Sequence, residues 1–233
     1  MSSGGYFRIM HKASTGVTCA LLLVASTVAT AQDWGAYAAR STRADDPLLL
    51  QVMEEADLTT KALICGGVGQ REDPYAADII GSLLDRNAGG ERVQVELLLR
   101  VLLQGLFDPA RGGQKIQSAI SANEVVLDSM ISRIDRWTDP QLKSTLVRLF
   151  PSMPAEKVLP ALLTVGSELV NGLSSEHGQI PPPRMGLAMD YLAAVEQLRC
   201  RDALDQCAAI ARLSREKSLV DRARSVAVLL MAN

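Results

Sequence analysis

The sequence predicts an all-α fold. Hydrophobic residues make up 48% of the 233 residues but aromatic residues only 4%, and this Leu-, Val- and Ala-rich mixture suits helix packing better than sheet faces. Apolar positions recur three and four residues apart along most of the chain, and no useful length of strand alternation occurs. A chain of this size and hydrophobicity is expected to form one or at most two domains.

Residues 1–31 have the layout of a signal peptide. Residues 1–12 carry Arg8 and Lys12 without an acidic residue, and the nineteen residues 13–31 carry no charge. The segment ends in Ala-Thr-Ala, the small-x-small pattern that signal peptidases accept. We therefore predict cleavage after Ala31 and a periplasmic or secreted protein.

An uncleaved membrane anchor is the alternative for this segment. Nineteen uncharged residues can just span a hydrocarbon core of about 30 Å. Six of them, however, are Ser or Thr, which makes a permanent span too polar and favours cleavage. In either case the membrane is expected to contact only this segment.

Residues 32–45 show no clear periodicity, and we predict a linker or an irregular lead-in there. After it, Asp-Pro pairs occur at 46–47, 73–74, 108–109 and 139–140, each beside an apolar stretch of helical spacing. Asp is a preferred N-cap and Pro is tolerated in the first helical turn, so each pair is predicted to begin a helix.

Residues 92–106 are apolar on nearly all sides of a helical projection. A helix of this kind needs neighbours on several sides, so we expect it at the centre of the fold. Polar breaks at 87–90, 111–113 and 174–183 fit connections between helices.

Several segments resemble HEAT repeats. Residues 58–69 (LTTKALICGGVG), followed by 73–85 (DPYAADIIGSLLD), resemble a junction between two repeats. Residues 131–149 (ISRIDRWTDPQLKSTLVRL) resemble the turn within a repeat, and 219–230 (LVDRARSVAVLL) resemble a second helix. The resemblance covers about residues 46–233.

The resemblance implies a right-handed α-solenoid of about four to five HEAT-like helix pairs over residues 46–233. The positions proposed to correspond on successive second helices are Leu58, Val95, Leu142, Met185 and Val220. They are 37, 47, 43 and 35 residues apart, around the roughly 40–47 residues of HEAT and armadillo units. One helix pair cannot bury its own apolar face, and stacking the pairs makes a continuous core.

HEAT-like solenoids commonly bind proteins in a groove lined by the second helices. The resemblance therefore implies a binding scaffold with a protein partner of unknown identity. The candidate contact residues are the charged positions Lys143, Arg148, Arg184 and Arg222. Only two of the 24 Lys and Arg precede position 32, so the chain after the predicted cleavage site stays more acidic than basic and has no basic footprint for nucleic acid.

The cysteines and the one histidine that follow the predicted signal peptide do not form a reactive site in the sequence. Cys200 and Cys207 are seven residues apart on one predicted helix, about 10 Å at 1.5 Å per residue, which is too far for a disulfide. Cys65 and Cys207 are interpreted as small core residues, with a free reactive thiol as the lesser alternative. His177 lies in a polar stretch, and no zinc-ligand spacing can be drawn, so no metal is expected.

No motif indicates catalysis or a cofactor. Gly-x-Ser-x-Gly, phosphate-loop and dinucleotide patterns are missing from the sequence, and Gly66, Gly67 and Gly69 follow a helical pattern that favours close helix packing and a helix end. The carboxylate pairs Glu54–Glu55 and Asp45–Asp46 are interpreted as solvated or capping groups at helix ends.

Trp137 has two interpretations, an exposed anchor on the rim of the groove or a packing residue, and packing is favoured. Two other functions stay open. The first is a lyase, because some HEAT-like proteins attach bilin chromophores. The second is a purely structural subunit of a cell-envelope complex. A visible chromophore would favour the lyase, and fractionation in a large assembly would favour the subunit.

Overall fold

A computed structural model describes residues 31–88 and 90–232. The predicted signal peptide, residues 1–31, lies outside the described residues apart from Ala31. Within the described ranges the chain is all-helical, as predicted, and contains no strand. Its helices are α1 Ala31–Arg40, α2 Asp46–Glu55, α3 Leu58–Gln70, α4 Ala77–Ala88, α5 Arg92–Leu106, α6 Gly113–Ala122, α7 Glu124–Ile131, α8 Pro140–Val147, α9 Ala155–Ser175, α10 Pro182–Leu198, α11 Leu204–Leu213 and α12 Lys217–Met231.

The helices form two series of contacts. In the first series each helix packs on the next one in the order α1, α3, α5, α8, α10 and α12. In the second series the order is α2, α4, α7, α9 and α11, while α6 packs against α7. The two series are joined by α2 with α3, α4 with α5, α9 with α10 and α11 with α12.

Residues 32–45 form a lead-in helix followed by an irregular connection. They contain most of α1, and the side chains of Trp34 and Ala38 in this helix are buried. Only Ser41 to Asp45 fit an irregular connection, and they end in a short 3-10 turn. The packed helices therefore start upstream of residue 46, because α1 has a neighbour in α3 to cover it.

Two of the four Asp-Pro pairs begin α-helices. Helix α2 begins at Asp46, with Pro47 in its first turn. Helix α8 begins at Pro140, and the Asp139 carboxylate caps it by accepting a hydrogen bond of 2.8 Å from the amide of Gln141. A side-chain cap explains the start of α8, whereas the N-cap residue of α2, Asp45, makes no side-chain cap bond and only Pro47 in the first turn fits the expected pattern.

The prediction is wrong for the other two pairs. Asp108 and Pro109 open only a 3-10 turn, Pro109–Arg111. Asp73 and Pro74 lie in a turn, where the Asp73 carboxylate accepts from the amide of Tyr75, and α4 begins only at Ala77. Asp stabilises turns by the same hydrogen bonds that cap helices, so the dipeptide does not distinguish the two.

Helix α5 contacts α3, α4 and α8, as expected for a central helix. Leu98, Leu99 and Leu102 are buried on it. Val93, in contrast, is 79% exposed. One side of α5 thus stays open to solvent.

Glycines bring the first helices of the series close together. A Cβ added at Gly67 of α3 would collide with the Gly35 carbonyl oxygen and lie 2.8 Å from the Cβ of Ala38, both in α1. A Cβ at Gly69 would lie 2.5 Å from the Leu102 carbonyl oxygen in α5. The predicted close packing is confirmed at both positions.

Candidate functional site

A cleft of about 670 Å³ opens between the turn that precedes α8, the second half of α9 and the start of α10. Its apolar floor consists of Trp137, Leu169, Leu173, Ile180 and Leu187. Trp137 is only 2% exposed, and its indole Nε1 donates a hydrogen bond of 2.9 Å to the Met130 carbonyl oxygen. The packing interpretation of Trp137 is confirmed.

Two of the four predicted contact residues lie in this cleft. Lys143 donates to Glu168, and Arg184 pairs with Glu176 at 2.5 Å. The Lys143 side chain is 7% exposed, so it is held inside the wall, whereas that of Arg184 is 46% exposed. The cleft therefore combines an apolar floor with one ion pair towards each end.

The other two predicted contact residues lie outside the cleft. Arg148 approaches Asp190 at 3.7 Å, where α8 meets α10, and Asp190 also accepts from Ser144. Arg222 of α12 pairs with Glu196 of α10. All four predicted cations thus have an acidic partner.

Similar polar contacts join α5 to α8. Glu96 is buried, and its carboxylate accepts from the amides of Thr138 and Asp139 at 3.0 and 2.6 Å. Burial alone would raise the pKa of Glu96, but these bonds and the hydrogen bond from Arg92 hold it below its ordinary value. Arg100 also reaches Asp139 at 3.1 Å. Glu96 of α5 therefore caps the start of α8.

Apolar side chains are exposed on one surface of the first series. We call this surface the first-series face and define it by Leu63, Val93, Met189 and Val228 on α3, α5, α10 and α12, which are all exposed. Helices α3, α5 and α10 each contact two neighbours in the series and one helix of the second series, and Leu63, Val93 and Met189 are side chains that these contacts leave exposed. Val228 is exposed on the end helix, α12. Sequence reasoning did not identify these residues, because Val93 and Met189 belong to apolar runs of helical spacing that predict burial.

The cysteines and the histidine take no part in the cleft. Cys65, Cys200 and Cys207 are buried free thiols, and burial raises the pKa of Cys65 and of Cys207 to about 12. Cys200 is not on the same helix as Cys207, contrary to the prediction, because α11 begins at Leu204. His177 is exposed just after α9. The part of the chain that the structure describes contains no cluster of three or more His, Cys, Asp or Glu side chains suited to a metal ion.

The adjacent acids Asp45 and Asp46 have different roles. The Asp45 carboxylate accepts from the Thr42 amide at 2.7 Å, which is the predicted capping role. Asp46 instead forms an ion pair of 2.6 Å with Arg71, and both side chains are only 1% exposed. The interpretation of Asp46 as a solvated or capping group is therefore wrong, because its carboxylate is buried in an ion pair.

Among residues 31–88 and 90–232, no helix is both long enough and apolar enough to span a bilayer. Comparisons of the chain with protein-family models, with curated proteins and with solved structures found no match. The candidate surfaces of this protein are therefore the cleft and the first-series face, defined by their own geometry.

Proposed function

We propose that this chain is an exported HEAT-like α-solenoid that binds a protein partner through its first-series face. The order of helix contacts supports the solenoid, because each helix packs on the preceding and following members of its own series. The five positions proposed as equivalent in the repeats, Leu58, Val95, Leu142, Met185 and Val220, fall on α3, α5, α8, α10 and α12. These are consecutive helices of the first series.

The observation that carries the binding role is the exposure of apolar side chains on the first-series face. Val93 and Val228 are 79% and 60% exposed, and Met189 lies between them in the series, on α10. Arginines paired to carboxylates lie on helices of the same series, Arg148 at the end of α8 and Arg222 on α12. An apolar centre with a polar rim is typical of protein interfaces.

The charge pattern of residues 1–31 supports export. The predicted cleavage after Ala31 leaves a mature chain that starts within α1, with the buried Trp34 close behind the new terminus. Sequencing the amino terminus of the protein purified from its native host tests this step. We expect Gln32 as the first residue, and an intact residue 1 would support the anchor instead.

The binding role is tested by capture of partners in the native host, followed by mass spectrometry. The Val93→Asp/Met189→Asp double variant places charge on the first-series face and is expected to lose the proteins that the wild type captures. Val125→Asp is the matched control, because Val125 is 82% exposed but lies on α7 of the second series. Retention of every captured protein by the double variant, or equal losses in the control, would contradict the proposal.

A further inference from the structure

The two ion pairs of the cleft differ in which partner is more exposed to solvent, the acidic one or the basic one. In the first pair, Glu168 is 36% exposed and Lys143 only 7%, so an incoming group meets the carboxylate. In the second pair, Arg184 is 46% exposed and Glu176 35%, so the more accessible group is the guanidinium. One end of the cleft is therefore suited to a cation and the other to an anion.

The spacing of these ends matches an extended peptide. Glu168 lies on α9 and Glu176 directly follows the helix, eight residues later, which corresponds to about 12 Å of helix rise. An extended chain covers this distance in about four residues at about 3.3 Å each. Side chains four residues apart on an extended chain also project to the same side, as binding at both ends requires.

The space between the two ends suits an apolar side chain and a peptide backbone. Leu169 and Leu173 lie in the floor between the two acids, together with Trp137. Asn171 is exposed at the cleft, and its side-chain amide makes no hydrogen bond to another described residue. An amide provides both a donor and an acceptor for a backbone peptide group.

We infer that the cleft binds an extended segment of a protein partner with a basic and an acidic side chain about four residues apart and an apolar side chain midway between them. The inference rests on the proposed function, since it assigns part of that partner to a second surface. The cleft is distinct from the first-series face, because none of Leu63, Val93, Met189 and Val228 lines it.

The first test uses the full chain and three capped pentapeptides. Lys-Ser-Leu-Ser-Glu carries both charges, and Lys-Ser-Leu-Ser-Lys and Glu-Ser-Leu-Ser-Glu carry one sign each. By NMR titration we expect the mixed peptide to bind about fivefold more tightly than either control, the effect of one partly exposed ion pair. Shifted amide resonances should lie in residues 168–187. Equal affinity for the three peptides, or no binding of the mixed one, overturns the inference.

The second test uses paired arginine variants. Arg184→Gln removes the exposed guanidinium and should weaken binding of the mixed peptide about fivefold. The all-basic peptide should bind at least as tightly as it binds the wild type, because the substitution removes a repulsive charge and leaves the Glu176 carboxylate without its cation. Arg148→Gln is the matched control, because Arg148 is 48% exposed, is paired to Asp190 and lies outside the cleft. Equal weakening in both variants would contradict the assignment.

The two proposals fail separately. The Val93→Asp/Met189→Asp variant should bind the mixed pentapeptide as the wild type does, because neither residue lines the cleft. If captured proteins depend on the first-series face while the peptide does not bind, only the assignment of the cleft is wrong. If the mixed peptide binds but the Val93→Asp/Met189→Asp variant captures the same proteins as the wild type, the first-series face is not the surface that binds the partner.

Discussion

Helices approach one another differently in the two halves of the chain. In α1, α3 and α5 the contacts are made by backbone atoms, since Gly67 faces the Gly35 carbonyl and Gly69 faces the Leu102 carbonyl. Near α9 the space above Gly166 is filled instead by side-chain ends, the hydroxyl of Tyr191 and the amide of Gln206. Tyr191 and Gln206 are joined by a hydrogen bond of 2.6 Å.

This difference determines how each half responds to added volume. A backbone carbonyl cannot move without shifting its whole helix, whereas the end of a glutamine can rotate away. Dense packing transmits strain when the neighbours are rigid. Gly67 and Gly69 should therefore tolerate an added methyl group less well than Gly166.

The largest effect is expected for Gly67→Ala. Its Cβ would meet backbone atoms of α1 and the Cβ of Ala38, so we expect the free energy of unfolding to fall by about 3 kcal/mol. Urea denaturation followed by circular dichroism measures this change. A loss no greater than that of Gly166→Ala would remove the contrast between the two halves.

The next effect concerns Glu96, at the junction of the two halves. Glu96→Gln weakens the cap on Thr138 and Asp139, and we expect a loss of about 2 kcal/mol near pH 7. The folded-state pKa of Glu96 is lowered from an ordinary value of 4.5, so its stabilising contribution is complete above that value. The contribution is lost as the pH falls through the lowered pKa.

The pH dependence supplies the control for Glu96. Wild type and Glu96→Gln should differ most at neutral pH and converge under acid, as followed by denaturation at several pH values. A difference that is independent of pH would mean that the carboxylate charge does not cause the stabilisation.

A smaller effect is expected for Gly166→Ala. The added methyl group would displace the amide of Gln206, which also donates to the Leu163 carbonyl at 2.8 Å, and we expect a loss of about 1 to 2 kcal/mol. In the background of Gln206→Ala the same substitution should cost less, because the displaced group is gone. Additive losses in a double-mutant cycle would argue against this mechanism.

The smallest effect is expected for Gly81→Ala in α4, and it has the opposite sign. Apart from the adjacent residues and the backbone of α4 itself, no atom lies within 4 Å of the added Cβ. Helix propensity therefore determines the effect, with a gain of about 0.5 to 1 kcal/mol. A loss of stability at this position in the same denaturation assay would show that open space around a glycine is not enough to make its replacement by alanine stabilising.

Helix content could be predicted from the sequence because periodicity is a local property. Leu142, Leu146 and Leu149 repeat at helical spacing, and all three are buried. Close packing at Gly67 and Gly69 was also predictable, since clustered glycines weaken a helix unless they let a neighbouring helix approach closely.

Long-range pairing could not be predicted in the same way. Asp46 has the sequence pattern of a helix start, yet its partner Arg71 lies beyond the next helix, α3. Lys143 and Arg184 were selected as charged positions on second helices, but their acidic partners come from α9 and the residue that follows it. The cleft depends on how three segments are placed, and no local pattern in the sequence reports that placement.

Hydrogen-exchange mass spectrometry of Gly67→Ala tests most directly whether each helix pair depends only on its neighbours. In a chain with contacts between successive pairs, local strain should weaken protection near the substitution. We predict faster exchange in α1 to α5 and wild-type exchange in α9 to α12. Equal acceleration in all twelve described helices would instead indicate a single cooperative core and contradict the account.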